Sequence, residues 1–454
     1  MAKKKEKTLE EKLQEALVPE NQWPYMLPEN WCWVKLNKLY HVNPKNIVED
    51  DSVDAAFIPM ANIEPNFIGK YKFEVDSWNK VRKGHTQFAD GDVTFAKISP
   101  CFENGKAFIA ENLPNGIGAG TTELIVLRNR EIVPKYTFYL ISTEKFVNGG
   151  RRTYSGVVGQ QRISMDYVNQ FPIPLPPLPE QKRIVHRIES LFAKLDEAKE
   201  KIQQVLDGAE MRKAAILHKA FTGELTKNWR KENGISEDSW ESVKLKELGE
   251  FNRGKSKHRP RNDPRLFNGP YPFIQTGDVS SSGMYIQKHS QTLSEFGMQQ
   301  SRLFPKDTLC ITIAANIGKV AILTYDCCFP DSVVGFTPNE RTFSKYMYYS
   351  MLKIQKEIEA LAPAVAQKNL SLKLLLDVNV QIPSVEEQHT IVKIIERLLK
   401  HEKNVISASM RSIESIDTMK KSILAKAFRG ELGTNNPTED SALNLLKEVL
   451  QDKF

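Results

Sequence analysis

Two stretches of the chain gather cationic side chains with no carboxylate among them. From Lys145 to Met165 stand Lys145, Arg151, Arg152 and Arg162, alongside Tyr154, Gln160 and Gln161. From Phe251 to Arg261 stand Arg253, Lys255, Lys257, Arg259 and Arg261 with His258. Ammonium and guanidinium groups on glycine-bearing segments suit the phosphate oxygens of a nucleic acid, and Arg or Gln can also read base edges. Lys97, Lys106, Lys319, Gln367, Lys368 and Asn369 share this charge and loop character and complete the candidate contact set. For either stretch alone, a solvated surface loop is the competing reading.

No catalytic constellation accompanies these residues. The chain lacks Asp/Asn-Pro-Pro-Tyr/Phe, with which an amino-methyltransferase grips an exocyclic nitrogen, and lacks a glycine-rich turn for an adenosyl cofactor. Gly318-Lys319 is followed by Val320 and has no glycine at the upstream spacing of a phosphate-binding loop. The 8 histidines are scattered, with no HExxH and no Cys/His metal spacing. Glu197-Ala198-Lys199 is the nearest approach to a nuclease's carboxylates and lysine, but it sits amid alternating charge and reads as a solvated helix face. Gly-x-Ser-x-Gly is missing. The chemistry left is binding, by a non-enzyme that holds no cofactor or metal of its own.

Length and composition agree. The 454 residues predict two to four domains, each able to bury a core. The formal charge of +7 permits a polyanionic partner without requiring one. No apolar run approaches the roughly 18–20 residues of a membrane helix. The start, Met1-Ala2-Lys3-Lys4-Lys5-Glu6-Lys7, leads into an amphipathic stretch rather than a secretory h-region. The 5 cysteines make no CxxC and no disulfide ladder, so a reducing cytoplasm is expected.

What must position the two basic stretches is a repeat. EQKRIVHRIESLF with AAILHKAFTGEL, across 180–225, realigns without a gap on EQHTIVKIIERLL with KSILAKAFRGEL, across 387–432, 207 residues later. Upstream, Gln160 and Ser164 fall on Gln367 and Ser371 at the same offset. Trp31-x-x-Val34-Lys35-Leu36 matches Trp240-x-x-Val243-Lys244-Leu245, and Tyr136-x-x-Tyr139 lies where Tyr346-x-x-Tyr349 would. Ile184, Ile188, Leu191, Leu195, Ala198, Ile202 and Val205 step by four and three, a heptad seam that asks for a partner helix. About 45 residues at 1.5 Å each predict a rod of nearly 70 Å. In the second copy Glu402 and Ser409 interrupt the seam. Prolines 172, 174, 176, 177 and 179 stop any helix before Glu180, Pro383 stops one before Glu387, and Gly223 and Gly430 end the rods. Short β-type runs such as 123–127 and 308–313 fill the segments between. The expected fold is α+β: two mixed α/β domains joined by two long, mutually packed helices in a pseudo-twofold internal repeat.

These motifs together resemble the specificity (S) subunits of Type I restriction–modification systems. The carriers are PLPPLPEQKRIV and AILHKAFTGEL with their second copies, the Trp-x-x-Val-Lys-Leu openings, and Gly/Ala-Gln-x-x-Ile/Leu-Ser before each helix, covering about 20–433. The resemblance implies target recognition domains at 31–178 and 231–385 and conserved helices at 179–230 and 386–433 packed as an antiparallel coiled coil; outside the repeat stand a lysine-rich extension at 1–30 and a polar tail at 434–454, expected to be loose apart from an amphipathic turn or two carrying Leu443, Leu446 and Leu450. It implies double-stranded DNA as ligand, each domain reading half of a bipartite target and the helices ruling the gap. It also implies two modification (methyltransferase) subunits and restriction subunits as partners, which would carry the adenosylmethionine, ATP and Mg²⁺. Glu180, Gln181, Phe221, Glu224, Glu387, Gln388, Phe428 and Glu431 match the family's helical elements and are expected to dock the methyltransferase subunits. The other reading is a scaffold whose β-rich domains bind proteins.

Overall fold

Alternating prolines leave a strand few donors, so it can pair on one edge only. Pro172–Leu175 does this, running antiparallel to Cys32–Lys35 with Cys32 opposite Leu175 and Lys35 opposite Pro172. The same two-stranded ribbon recurs where Glu241–Lys244 meets Asn379–Ile382. Each ribbon ties the beginning of a mixed domain to its end, beside the helix that follows. The computed structural model describes residues 7–360 and 370–452. They divide into two compact units, Met1–Lys201 with Ser412–Phe454, and Ile202–Arg411.

In the first unit, four antiparallel strands run in the order His41–Val42, Leu124–Arg128, Val93–Ala96, Ala107–Ile109. A second sheet orders Glu74–Ser77, Asp54–Ile58, Ile117–Gly120, Thr86–Ala89, with its middle pair parallel. Val93–Ala96 is buried along its whole length. At its head the buried Asp92 carboxylate accepts a bidentate pair from Arg128, Nη2 at 2.7 Å and Nε at 2.9 Å, which satisfies the charge where it is buried. In the second unit, a five-stranded sheet runs Gly249–Arg253, Val333–Pro338, Leu309–Thr312, Val320–Leu323, Tyr285–Ile286. A four-stranded sheet runs Gln291–Leu293, Phe267–Phe273, Cys327–Cys328, Leu303–Phe304.

The repeat helices are Leu178–Asp207 continued by Ala209–Phe221, and Val385–Ala427. Both begin two residues before the Glu of the repeat; in the first, Pro179 is compatible with a first turn, where its missing N–H has no partner to lose. The first rod is not continuous: it is interrupted at Gly208, where a Cβ would stand 2.8 Å from the Arg212 guanidinium. That guanidinium reaches Glu402 at 2.9 Å, so the carboxylate that interrupts the second seam has a cationic partner. In the first unit, Asp196 pairs with Lys420 and Lys199 with Asp417, an antiparallel register, above a core shared by Ile184, Ile188, Leu424 and Ala427.

The amphipathic stretches near the two ends are helices. Leu9–Ala16 is a helix whose Thr8 and Glu11 form a reciprocal capping box. The C-terminal amphipathic stretch carrying Leu443, Leu446 and Leu450 is the helix Ala442–Asp452, which buries Leu446 and Leu450 in one core with Ala16, Leu36 and Leu39. Its amphipathic spacing carries enough apolar surface to dock once a partner face exists.

Candidate nucleic-acid interface

The first basic stretch is held by an aromatic cluster. Phe146, buried on the helix Glu144–Arg151, packs edge-on to Phe95 at 5.5 Å and to Phe102 at 6.1 Å between centroids. Gly150 has no room for a side chain, since a Cβ there would meet the Phe102 ring at 2.6 Å. The helix therefore ends with Arg151 and Arg152 exposed at its C-terminus, and neither has a carboxylate partner among the described residues. Residues 155–162 then form a hairpin closed by Ser155 N–H to the Arg162 carbonyl at 3.1 Å and the reverse bond at 2.9 Å. The return arm is pinned by Ser99 N–H to the Gln161 carbonyl at 2.8 Å. Gln160 is exposed and Gln161 half-buried.

Several sequence candidates turn out to be engaged inside the chain. Arg162 makes a bidentate pair with Glu123, Nη2 at 2.7 Å and Nε at 2.9 Å; the stretch has no acid in sequence, but the fold supplies one. Tyr154 donates its hydroxyl to Glu103, and burial together with that carboxylate raises its phenol above the ordinary range. Lys106 donates to the Met60 carbonyl at 2.8 Å. Lys145 sits over the Tyr25 and Trp33 rings, 4.7 and 5.1 Å from their centroids. Lys97 is half-buried beside the hairpin, its carbonyl accepting from Ile163 N–H at 3.1 Å.

In the second unit, Arg253 Nε donates to the Asp331 carbonyl at 2.7 Å and Arg261 pairs with the Asp331 carboxylate at 3.0 Å. Arg259 donates to the carbonyls of Ser256 and His258 at 2.6 and 2.8 Å. His258 meets Asp263 at 2.8 Å; Arg265, the stronger neighbour, holds that carboxyl well below its usual range. Lys257 and Lys319 are exposed, and Lys255 is half-buried. The 255–262 segment lines a cleft of about 530 Å³ together with Gln275, Gln291 and Gln300. These glutamines lie in separate elements, so no sequence cluster pointed to them. Gln367, Lys368 and Asn369 lie outside the described residues.

The expected docking residues are mostly internal, which corrects the role given to them. Glu180 and Glu387 are 0% and 1% exposed. Glu180 accepts from Trp31 Nε1 at 2.7 Å and Asn435 Nδ2 at 2.9 Å. Glu387 accepts from Trp240 Nε1 at 3.1 Å, Thr226 Oγ1 at 2.6 Å and the buried Arg230 Nη1 at 2.6 Å. Gln181 and Gln388 each donate to a carbonyl in the preceding proline segment, Pro176 at 3.1 Å and Pro383 at 3.0 Å. Phe221 packs on Tyr346 at 5.3 Å, and its repeat partner Phe428 on Tyr136 at 5.1 Å. These six side chains clamp helix to domain. Glu224 and Glu431 are exposed, paired with Lys219 at 2.8 Å and Arg429 at 2.9 Å.

No cluster of three or more His, Cys, Asp or Glu suited to a metal occurs among the described residues, and none of their helices is long and apolar enough to cross a membrane. The pattern of the Type I restriction modification DNA specificity domain matches twice, over 28–207 and 237–408. The chain belongs to this DNA specificity family. Among relatives of this specificity-family chain, the Type I restriction enzyme EcoAI specificity subunit of Escherichia coli is 38% identical over 232 residues, 50% of this chain and 38% of that one. The Escherichia coli EcoBI specificity subunit is 27% identical over 312 residues, 62% and 64% of the two chains. The match thus spans under two-fifths of the EcoAI relative's length. The HsdS subunit from Thermoanaerobacter tengcongensis shares the fold, with a TM-score of 0.68 at 19% identity, over 90% of this chain and all of that one.

Proposed function

We propose that this chain is the non-catalytic DNA-recognition subunit of a Type I restriction–modification complex in the cytoplasm. Each mixed domain reads one half of a bipartite double-stranded target, and the paired helices set the spacing between halves. The observation that carries this reading is the family domain occurring twice, each copy closed by the same ribbon and the same Glu-Gln clamp. Paired modules are how proteins read split sites. Arg151, Arg152, Gln160, Lys257 and Lys319 supply exposed phosphate and base contacts; Arg162, Arg253 and Arg261 join only by exchanging their present partners. Two modification subunits and the restriction subunits dock on the outer faces of the helices and on the Glu224 and Glu431 ends. They bring the adenosylmethionine, ATP and Mg²⁺.

The test is genome-wide adenine methylation in the native host with and without this gene. Loss of a gapped two-part motif on deletion supports the reading and names the target. If a methyltransferase partner co-purifies with the chain and yet no motif changes, the recognition role is wrong.

A further inference from the structure

Val157 and Val158 are 79% and 88% exposed, and no other adjacent pair of large apolar side chains among the described residues stands so far into solvent. They occupy the tip of the 155–162 hairpin, between Gly156 at φ +108° and Gly159 at φ +86°, where a Cβ at Gly159 would meet nothing within 4 Å. The turn is closed by Gln160 N–H to the Val157 carbonyl at 2.9 Å, and the base of the hairpin by the Ser155–Arg162 pair. The valines are thus presented by a turn whose base is closed by a single Ser155–Arg162 bridge. The exposed Gln160 follows in the same turn, and the exposed Arg151 and Arg152 end the helix that leads into it.

We propose that this hairpin is the base-reading element of the first domain, and that Val157 and Val158 pack against thymine methyl groups in the major groove. The proposal rests on the DNA-recognition reading above. The thymine methyl is the one apolar group that base edges present in the major groove. Valine has no hydrogen-bonding atom in its side chain, so an exposed pair can discriminate bases only by that contact. The guanidiniums of Arg151 and Arg152, at the end of the preceding helix, suit phosphate contact, and Gln160 supplies an amide suited to the adenine of the same A·T pair. The half-site read by this domain therefore contains at least one thymine that is recognised through its methyl.

The experiment uses the full chain and the target duplex read from the methylation map. Each thymine of the duplex is replaced in turn by deoxyuridine, and binding is followed by fluorescence anisotropy. The wild-type chain should lose about fourfold in affinity at one or two positions, the worth of one buried methyl. The Val157→Ser/Val158→Ser variant, checked for an unchanged melting curve, should bind the thymine duplex more weakly and be indifferent to deoxyuridine at those positions. Arg151→Ala/Arg152→Ala should be weaker overall but still sensitive to it. If the wild-type chain prefers its target over a scrambled duplex yet ignores every deoxyuridine, the valine assignment falls and the recognition reading stands. Equal sensitivity in the valine variant also overturns the assignment. A wild-type chain with no preference for the target overturns both.

Discussion

The two Glu-Gln clamps occupy equivalent positions but are balanced differently, and that difference is measurable. Glu387 faces the Arg230 guanidinium at 2.6 Å, with both side chains buried at 1% and 7% exposure. Glu180 is held by neutral donors: the Trp31 indole, Asn435, and Thr434 at 3.3 Å. Glu387→Gln strands a buried cation whose Nε already has no partner, and breaking a buried pair this way costs about 3–5 kcal/mol. Glu180→Gln keeps an oxygen able to accept from the indole and loses only charge assistance, about 1–2 kcal/mol. The gap of about 2–3 kcal/mol corresponds to roughly 30- to 150-fold in the equilibrium for local opening. Hydrogen exchange read on Glu241–Lys244 in one variant and on Cys32–Lys35 in the other assays each ribbon in its own unit. Adding Arg230→Met to Glu387→Gln should recover part of the loss, because the stranded charge is gone. Equal acceleration of the two ribbons, or no recovery in the double variant, would refute the electrostatic argument.

Two further outcomes follow from the same geometry. Arg151→Ala/Arg152→Ala should weaken DNA binding and reduce its salt slope by nearly two phosphate contacts, whereas Arg162→Ala, already balanced by Glu123, should leave the slope almost unchanged; titration at several salt concentrations separates them. Gly430→Ala should lower the melting temperature by several degrees: Gly430 sits at φ +74° and a Cβ would meet Pro28 Cγ at 2.5 Å, so left-handed strain adds to a clash.

Regular spacing made the helices and the repeat legible in the sequence, because a seam stepping by four and three, bounded by proline and glycine, admits few other structures. The strands at 124–128 and 309–312 were legible for the same local reason. Pairings across long separations were not. Glu123 lies 39 residues from Arg162, and only the return of the 155–162 hairpin beside residues 97–99 brings them together. Family likeness alone marks Glu180 and Glu387 as docking residues. Their burial depends on Trp31 and Trp240, whose indoles supply donors inside the core. The valine tip carries no charge, and its signal is exposure, which a sequence does not display. The C-terminal helix is legible only as an amphipathic turn or two, because its apolar stripe is short and its docking face is built by residues some 400 positions away.

That discontinuity decides the order of events on the ribosome. The unit Ile202–Arg411 is one unbroken segment, whereas Met1–Lys201 waits for Ser412–Phe454. Tyr25 donates its hydroxyl to the Phe428 carbonyl at 2.8 Å across 403 residues. At about 5–20 residues per second, synthesis of the intervening stretch takes roughly 10–40 s. During that interval the part made first stands with its core open at Ala16, Leu36 and Ile184, while the later unit can already close. The half of the molecule begun first is finished last, and nascent-chain chaperones have their longest opportunity there.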